Sequence, residues 1–279
     1  MNLKNQFLNL IQKTSTTLPK DIKDFFLQPV FKENAIFEIF RKTLSLSRKK
    51  NVPICQDTGF PYFVIELPVK EAHLKPKIEK AVYLALLEAT QKGILRPNTV
   101  DPISNKNYGT NLGPDLPYID WEIKNKGFVQ AKLLLKGGGS ENASGQYSLP
   151  LSEIQAGRDK EGIVKTVLFH LQKIQGQGCS PGIIGIGIGG DRSLSMKTAK
   201  KQLFRKINDF HSDPEIALLE KEILDKANQL EIGPMGLGGT PTLMSAKIEK
   251  ITRHPASFFV SIAYLCWVAR RGECRINIK

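Results

Sequence analysis

Hydrophobic positions along the chain follow two periods, and the segments sort by which one they obey. Between Met1 and Pro19, Leu3, Phe7, Leu10 and Ile11 share one face at helical spacing, which predicts an amphipathic helix. Ile36, Phe40 and Leu44 repeat the pattern over Glu33 to Arg48, and Ile78, Val82 and Leu86 over Glu71 to Lys92, with Gly93 where a helix cap belongs. Ile163, Val167, Leu171 and Ile174 are in phase over Lys160 to Gln175. Two further helices are expected at Ser193 to Lys206 and Pro214 to Leu230, the second stopped before Gly233-Pro234. Strand character falls on Tyr62 to Leu67, on Gly182 to Gly190 and on Thr242 to Ile251. Tyr118 to Lys124 and Phe128 to Lys136 alternate apolar and polar residues on either side of Asn125-Lys126-Gly127, which reads as a hairpin. The apolar run Phe258 to Trp267 fits either element. With no repeat, linker or sharp change in composition, the pattern predicts a mixed α/β fold: a single large domain over 1–279, mixed strands with flanking helices, residues 1–50 being its N-terminal helical part.

Composition narrows this little. Hydrophobic residues make up 41% and charged residues 24%, which excludes a chain disordered throughout. The longest apolar runs, such as Ser257 to Ala269, are shorter than the roughly 20 residues a bilayer requires, and the start of the chain lacks the layout of a secretory signal; a cytoplasmic protein is expected. The net charge of +13 calls for something anionic: nucleic acid, a membrane surface, an acidic chain or acidic small molecules. Neither a basic stripe interleaved with stacking aromatics nor a recognition helix is visible, which removes nucleic acid.

Three of the four cysteines stand in or beside polar or glycine-rich segments. Cys55 precedes Gln56-Asp57-Thr58-Gly59, Cys179 lies within Gly178-Cys179-Ser180-Pro181-Gly182, and Cys266 follows the last apolar run; Cys274 is the fourth. Buried thiols and ligands are both open readings, but the absence of any C-x-x-C pair argues against structural zinc and against a ferredoxin-type segment. The run Gly185-Ile186-Gly187-Ile188-Gly189-Gly190 lacks the phase of a dinucleotide fingerprint and reads as a tightly packed strand. Lys136-Gly137-Gly138-Gly139-Ser140-Glu141-Asn142 reads differently, as a loop able to offer backbone N–H groups to an anion. Arg96 and Arg253 are candidates for bidentate carboxylate binding, and His254, in a turn fixed by Pro255, is either structural or titrating.

Taken together, Cys55-Gln56-Asp57-Thr58-Gly59, Lys136 to Asn142, Gly236-Leu237-Gly238-Gly239-Thr240, and Arg253-His254-Pro255-Ala256-Ser257 with Cys266-Trp267 resemble, in order, the class I iron–sulfur hydro-lyases. The likeness is to the alpha subunit, or N-terminal half, of fumarate hydratase and L-tartrate dehydratase. The resemblance implies a [4Fe-4S] cluster on Cys55, Cys179 and Cys266, with one iron left open to substrate, and no role for Cys274. It implies reversible hydration of a small dicarboxylate, with Asp57 and His254 catalytic and with Gln56, Arg96 and the Gly138 N–H binding substrate. It also implies a beta subunit carrying the rest of the active site, in a dimer of alpha-beta pairs, with no nucleic acid and no membrane. The alternatives are tartrate as the substrate and, from another class, a non-catalytic iron–sulfur sensor.

Overall fold

A computed structural model describes residues 2–278. In chain order the helices and strands are α1 (Leu3–Thr16), α2 (Lys20–Phe26), α3 (Ala35–Lys50), β1 (Phe60–Pro68), α4 (Lys75–Gln91), β2 (Ile119–Lys124), β3 (Val129–Lys136), α5 (Gly138–Asn142), β4 (Gly145–Ser148), α6 (Lys160–Ile174), β5 (Gly182–Gly189), α7 (Arg192–Gln202), α8 (Pro214–Asn228), β6 (Leu243–Ile251), β7 (Phe259–Leu265) and β8 (Arg271–Ile276). The mixed α/β expectation holds, and the ambiguous run at 258–267 is strand β7. Two compact units are formed, one from Met1–Pro19, Ile39–Gly138 and Arg270–Lys279, the other from Lys20–Glu38 and Gly139–Ala269.

The first unit is built on a sheet of order β2-β1-β3-β8. Along β1 the residues alternate faces, so Phe63, Ile65 and Leu67 all point into one core with Phe7 and Ile11 of α1 and Ile78, Val82 and Leu86 of α4. The expected hairpin is not formed. Both of its strands exist, but β1 lies between them, parallel to β2 and antiparallel to β3. Residues 61–68 of β1 are buried on both faces, and a strand of that kind belongs at the centre of a sheet rather than at its edge. The four-residue connection 125–128 has to cross two strand spacings, about 10 Å, which is well within its reach. Lys126, read as a turn residue, instead forms an ion pair with Glu66 on β1, whose second oxygen takes Lys132 at 2.7 Å. Burial would raise the Glu66 pKa, but the two ammonium groups outweigh it and hold the carboxyl below the usual glutamate range.

The second unit carries the sheet β4-β7-β5-β6. Ile184, Ile186 and Ile188 of β5 enter a core with Ile163 and Val167 of α6 and Ile216, Leu219 and Ile223 of α8. The alternate residues are glycines because α7 lies directly on that face: a methyl at Gly185 would meet the Ala199 carbonyl oxygen at 2.1 Å, and one at Gly187 the Ser195 carbonyl oxygen at 2.1 Å. The packed-strand reading of this glycine run is therefore the right one.

Candidate functional site

In the first unit, α3 is followed by a loop, Asn51 to Gly59, that delivers Cys55, Gln56 and Asp57 just ahead of β1. The loop is pinned at both ends. Ile54 donates its N–H to the Ser15 carbonyl at 3.1 Å, and the buried Thr58 accepts from the Arg96 N–H at 2.9 Å and the Asn98 amide at 3.0 Å. Thr58 thus ties Arg96, itself exposed, to the Cys55 loop.

The Asp57 carboxylate is fixed at both oxygens: Oδ1 accepts from the Gly59 N–H at 2.9 Å and Oδ2 from the Gly138 N–H at 2.8 Å. Each oxygen keeps a second lone pair. The backbone beneath has no room for side chains, since a methyl at Gly137 would lie 2.6 Å from Oδ2 and one at Gly59 would lie 2.6 Å from the Leu135 carbonyl carbon. Gly59 also holds a φ of +82°, which glycine adopts freely. The segment from Lys136 to Asn142 is not the open loop expected; from Gly138 onward it turns into α5, and the Gly138 N–H donates to Asp57. Beneath the same loop lies Arg270, 1% exposed, whose Nη1 donates to the Asp57 carbonyl oxygen at 2.5 Å.

In the second unit Cys179 stands at a left-handed φ of 54°, its N–H donating to the Gly176 carbonyl and its own carbonyl accepting from the Trp267 N–H at 3.1 Å. That second bond brings the Cys179 loop beside the residue following Cys266. Cys266 donates its N–H to the Ser140 hydroxyl at 3.1 Å. Tyr264 fills the space between the strands of the Cys179 loop: a methyl at Gly178 or Gly182 would lie 2.3 or 2.2 Å from its ring. Both glycines flanking Cys179 are therefore dictated by one aromatic side chain.

His254 lies elsewhere in this unit, in an exposed turn ahead of β7. Its Nδ1 accepts from the Ala256 N–H at 3.1 Å. Arg253 is not presented as a bidentate carboxylate ligand: its Nη1 donates to the carbonyls of His254, Pro255 and Ser257, clamping the turn, and its guanidinium stacks on Phe258. β7 is extended and regular, so its two ends, one after the His254 turn and one before Cys266, lie about 20 Å apart.

None of the four cysteines forms a disulfide. Cys55, Cys179 and Cys266 are all half-buried loop thiols, whereas Cys274 sits on β8 against the first core, where burial pushes its thiol pKa up to about 11. Among the described residues, no three His, Cys, Asp or Glu side chains gather as ligands of a single metal ion. An iron–sulfur cluster spreads its thiolates over separate irons and asks a different question of the chain, namely whether soft thiol donors stand in accessible loops near compensating positive charge. All three are half-buried loop thiols, and the Cys55 loop has a cation beside it, the buried Arg270 with its Nε unpartnered. The donor set fits an anionic cluster.

Sequence pattern gives no individual role to Arg270, Thr58, Ser140 or Tyr264, although Thr58 and Ser140 fall within the Cys55 and Lys136 motifs. Arg270 directly follows the apolar run ending Val268-Ala269 and precedes Arg271, so by pattern it reads as the charged end of that run.

Comparison with known proteins identifies the family. A family model described as fumarate hydratase (Fumerase) matches residues 4–275. The chain belongs to this fumarate hydratase family. A Geobacillus stearothermophilus protein with the provisional name fumarate hydratase class I is 44% identical over 99% of this chain, which spans 55% of that protein's length. A Methanocaldococcus jannaschii protein with the provisional name L(+)-tartrate dehydratase subunit alpha is 35% identical over the whole chain and 99% of its own length. The L(+)-tartrate dehydratase subunit alpha of Escherichia coli K12 is 29% identical over 96% of the chain and 89% of its length. No helix among the described residues is long and apolar enough to cross a membrane.

Proposed function

We propose that the chain is the alpha subunit of a [4Fe-4S] hydro-lyase that interconverts fumarate and malate, with 1–279 acting as one catalytic domain in the cytoplasm. The observation that carries the reading is the Asp57 carboxylate, seated on the Gly59 and Gly138 N–H groups two residues after a cysteine and in a loop hydrogen-bonded to Arg96. Similarity to the Geobacillus protein at 44% identity supports fumarate as the substrate.

Cys55, Cys179 and Cys266 would hold the cluster, which when bound supplies an iron that acts as a Lewis acid on the substrate oxygens. Dehydration of malate removes hydroxide from one carbon and a proton from its neighbour. Asp57 takes that proton: its backbone contacts fix the carboxylate, while its remaining lone pairs stay available. Arg96 pairs with a substrate carboxylate as a planar fork, Gln56 hydrogen-bonds the substrate, and the Gly138 N–H, now on Asp57, is shared with substrate when it binds. In hydration the same carboxyl returns the proton. The positive chain raises the local concentration of a dianionic substrate.

His254 is a catalytic group of the same reaction. The extended β7 argues against its serving the site of its own Cys266, and favours a site completed by the His254 of a second copy, in a dimer of alpha-beta pairs. A separate beta chain is the expected partner, because the relatives matched along nearly their whole length are named as alpha subunits. Those names also favour a second reading, tartrate as the substrate, which differs from malate by one hydroxyl.

The test is anaerobic reconstitution of the chain with iron and sulfide, with and without a beta-type partner chain, followed by assay of fumarate hydration and tartrate dehydration. The expected result is a loaded cluster with fumarate turnover that depends on the partner. Tartrate turnover alone would establish the second reading, and a loaded complex inert towards both would overturn the proposal.

A further inference from the structure

Among the described residues Arg270 is the largest fully buried side chain, and the proposed reaction gives it no part. Its chemistry is unusual for its place: Nη1 donates to the Asp57 carbonyl, Nε has no partner, and among the described residues no carboxylate pairs with it. Burying a guanidinium without a counter-charge from the chain itself is costly, and packing alone would favour an apolar residue there.

What Arg270 does hold is both sides of the Asp57 cradle. Its own carbonyl accepts the Leu135 N–H at 2.9 Å, near the end of β3, from which the chain runs directly into Gly137 and Gly138. Its side chain meanwhile grips the main chain of Asp57. The space between the two is closed to any adjustment, because Gly59 already lies against the Leu135 carbonyl and Gly137 against the Asp57 carboxylate. One residue therefore sets the register between a carboxylate and the N–H groups that aim it.

We propose that Arg270 is a positioning residue for Asp57: it locks the Cys55–Gly59 loop onto the end of β3, so that the carboxylate is presented in one orientation. This rests on the reading of Asp57 as the proton-transfer group. Arginine suits the task because its planar head can reach a fixed carbonyl from a buried stem, whereas an ammonium presents one strongly hydrated point charge.

Two readouts test it. In the cluster-loaded complex with its partner chain, Arg270→Met is expected to lower kcat about 10- to 100-fold, the scale of a small misplacement, with KM within about threefold. Arg270→Lys should recover part of that loss. Combined with Asp57→Asn, Arg270→Met should cost nothing further, since a residue acting through Asp57 has nothing left to position. Additive losses, an unchanged kcat, or a raised KM at constant kcat would each overturn the proposal. The second readout needs no activity. In the isolated chain, amide hydrogen exchange at Gly59 and Gly138 should quicken at least about tenfold in Arg270→Met while the β1 and β3 amides stay protected. If the wild-type complex turned over neither substrate, the functional reading would fall, yet unchanged exchange at those two amides would still sink the positioning role. Should the Met variant fail to fold, Arg270→Lys carries both readouts.

Discussion

The carboxylate of Asp57 lies against the α-carbon of Gly137, close enough that a methyl group there would come within 2.6 Å of Oδ2. Gly137→Ala should therefore push the carboxylate off the Gly138 N–H without touching any cluster ligand. Turnover should fall by at least about tenfold while iron content stays at the wild-type level, on the scale expected when a reacting group is misplaced. Gly127→Ala, where a methyl meets nothing within 4 Å, is the control and should leave activity intact. Equal activity in the two variants would contradict the cradle.

Asp57→Asn retains the shape and removes the group proposed to carry the proton. The visible absorbance of the loaded cluster should persist while turnover drops by at least about a hundredfold, the usual contribution of a positioned acid or base. Rates measured across a substrate series would expose the alternative, a rise in KM alone.

The cysteines should divide three to one. Cys55→Ser, Cys179→Ser and Cys266→Ser are each expected to lose the cluster, read as iron per chain, whereas Cys274→Ser should keep it. Cys274 packs against the core of the first unit, and a hydroxyl there should appear as a modest loss of thermal stability instead.

Glu66 provides a test independent of chemistry. Its carboxyl is 5% exposed and paired with Lys126 and Lys132, so Glu66→Gln should cost about 1.5–3 kcal/mol at neutral pH. Because its folded pKa lies below the ordinary value of 4.5, that contribution is fully present above 4.5 and fades as the pH falls through the lower folded value. Denaturant titrations at pH 7 and pH 3 should show the gap between wild type and variant closing at the acid end. A gap that widened would reverse the sign of the argument.

The sequence by itself determined most of the elements. Helices α1, α4, α6 and α8 follow directly from apolar residues recurring every three or four positions, because one buried stripe on a helix leaves that mark whatever it packs against. The glycine run of β5 was legible as a packed strand for the same kind of reason, as an alternating pattern with one face bare. Cys55, Gln56 and Asp57, the proposed site residues of the first unit, share one short loop and so stand contiguously in the sequence. What tertiary structure alone decided are the relationships between segments distant in the chain. Insertion of β1 between β2 and β3 overrode a local hairpin signal, since a turn motif specifies proximity in sequence and says nothing about which strand has two faces to bury. Conversion of Arg253 from a ligand candidate into a clamp on the His254 turn, and separation of His254 from Cys266 by the length of β7, likewise depend on backbone geometry that residue types do not encode. Arg270 is the extreme case. A cation at the end of an apolar run acquires a purpose when folding brings it beneath a carbonyl 213 residues earlier in the chain, where water can no longer take its place.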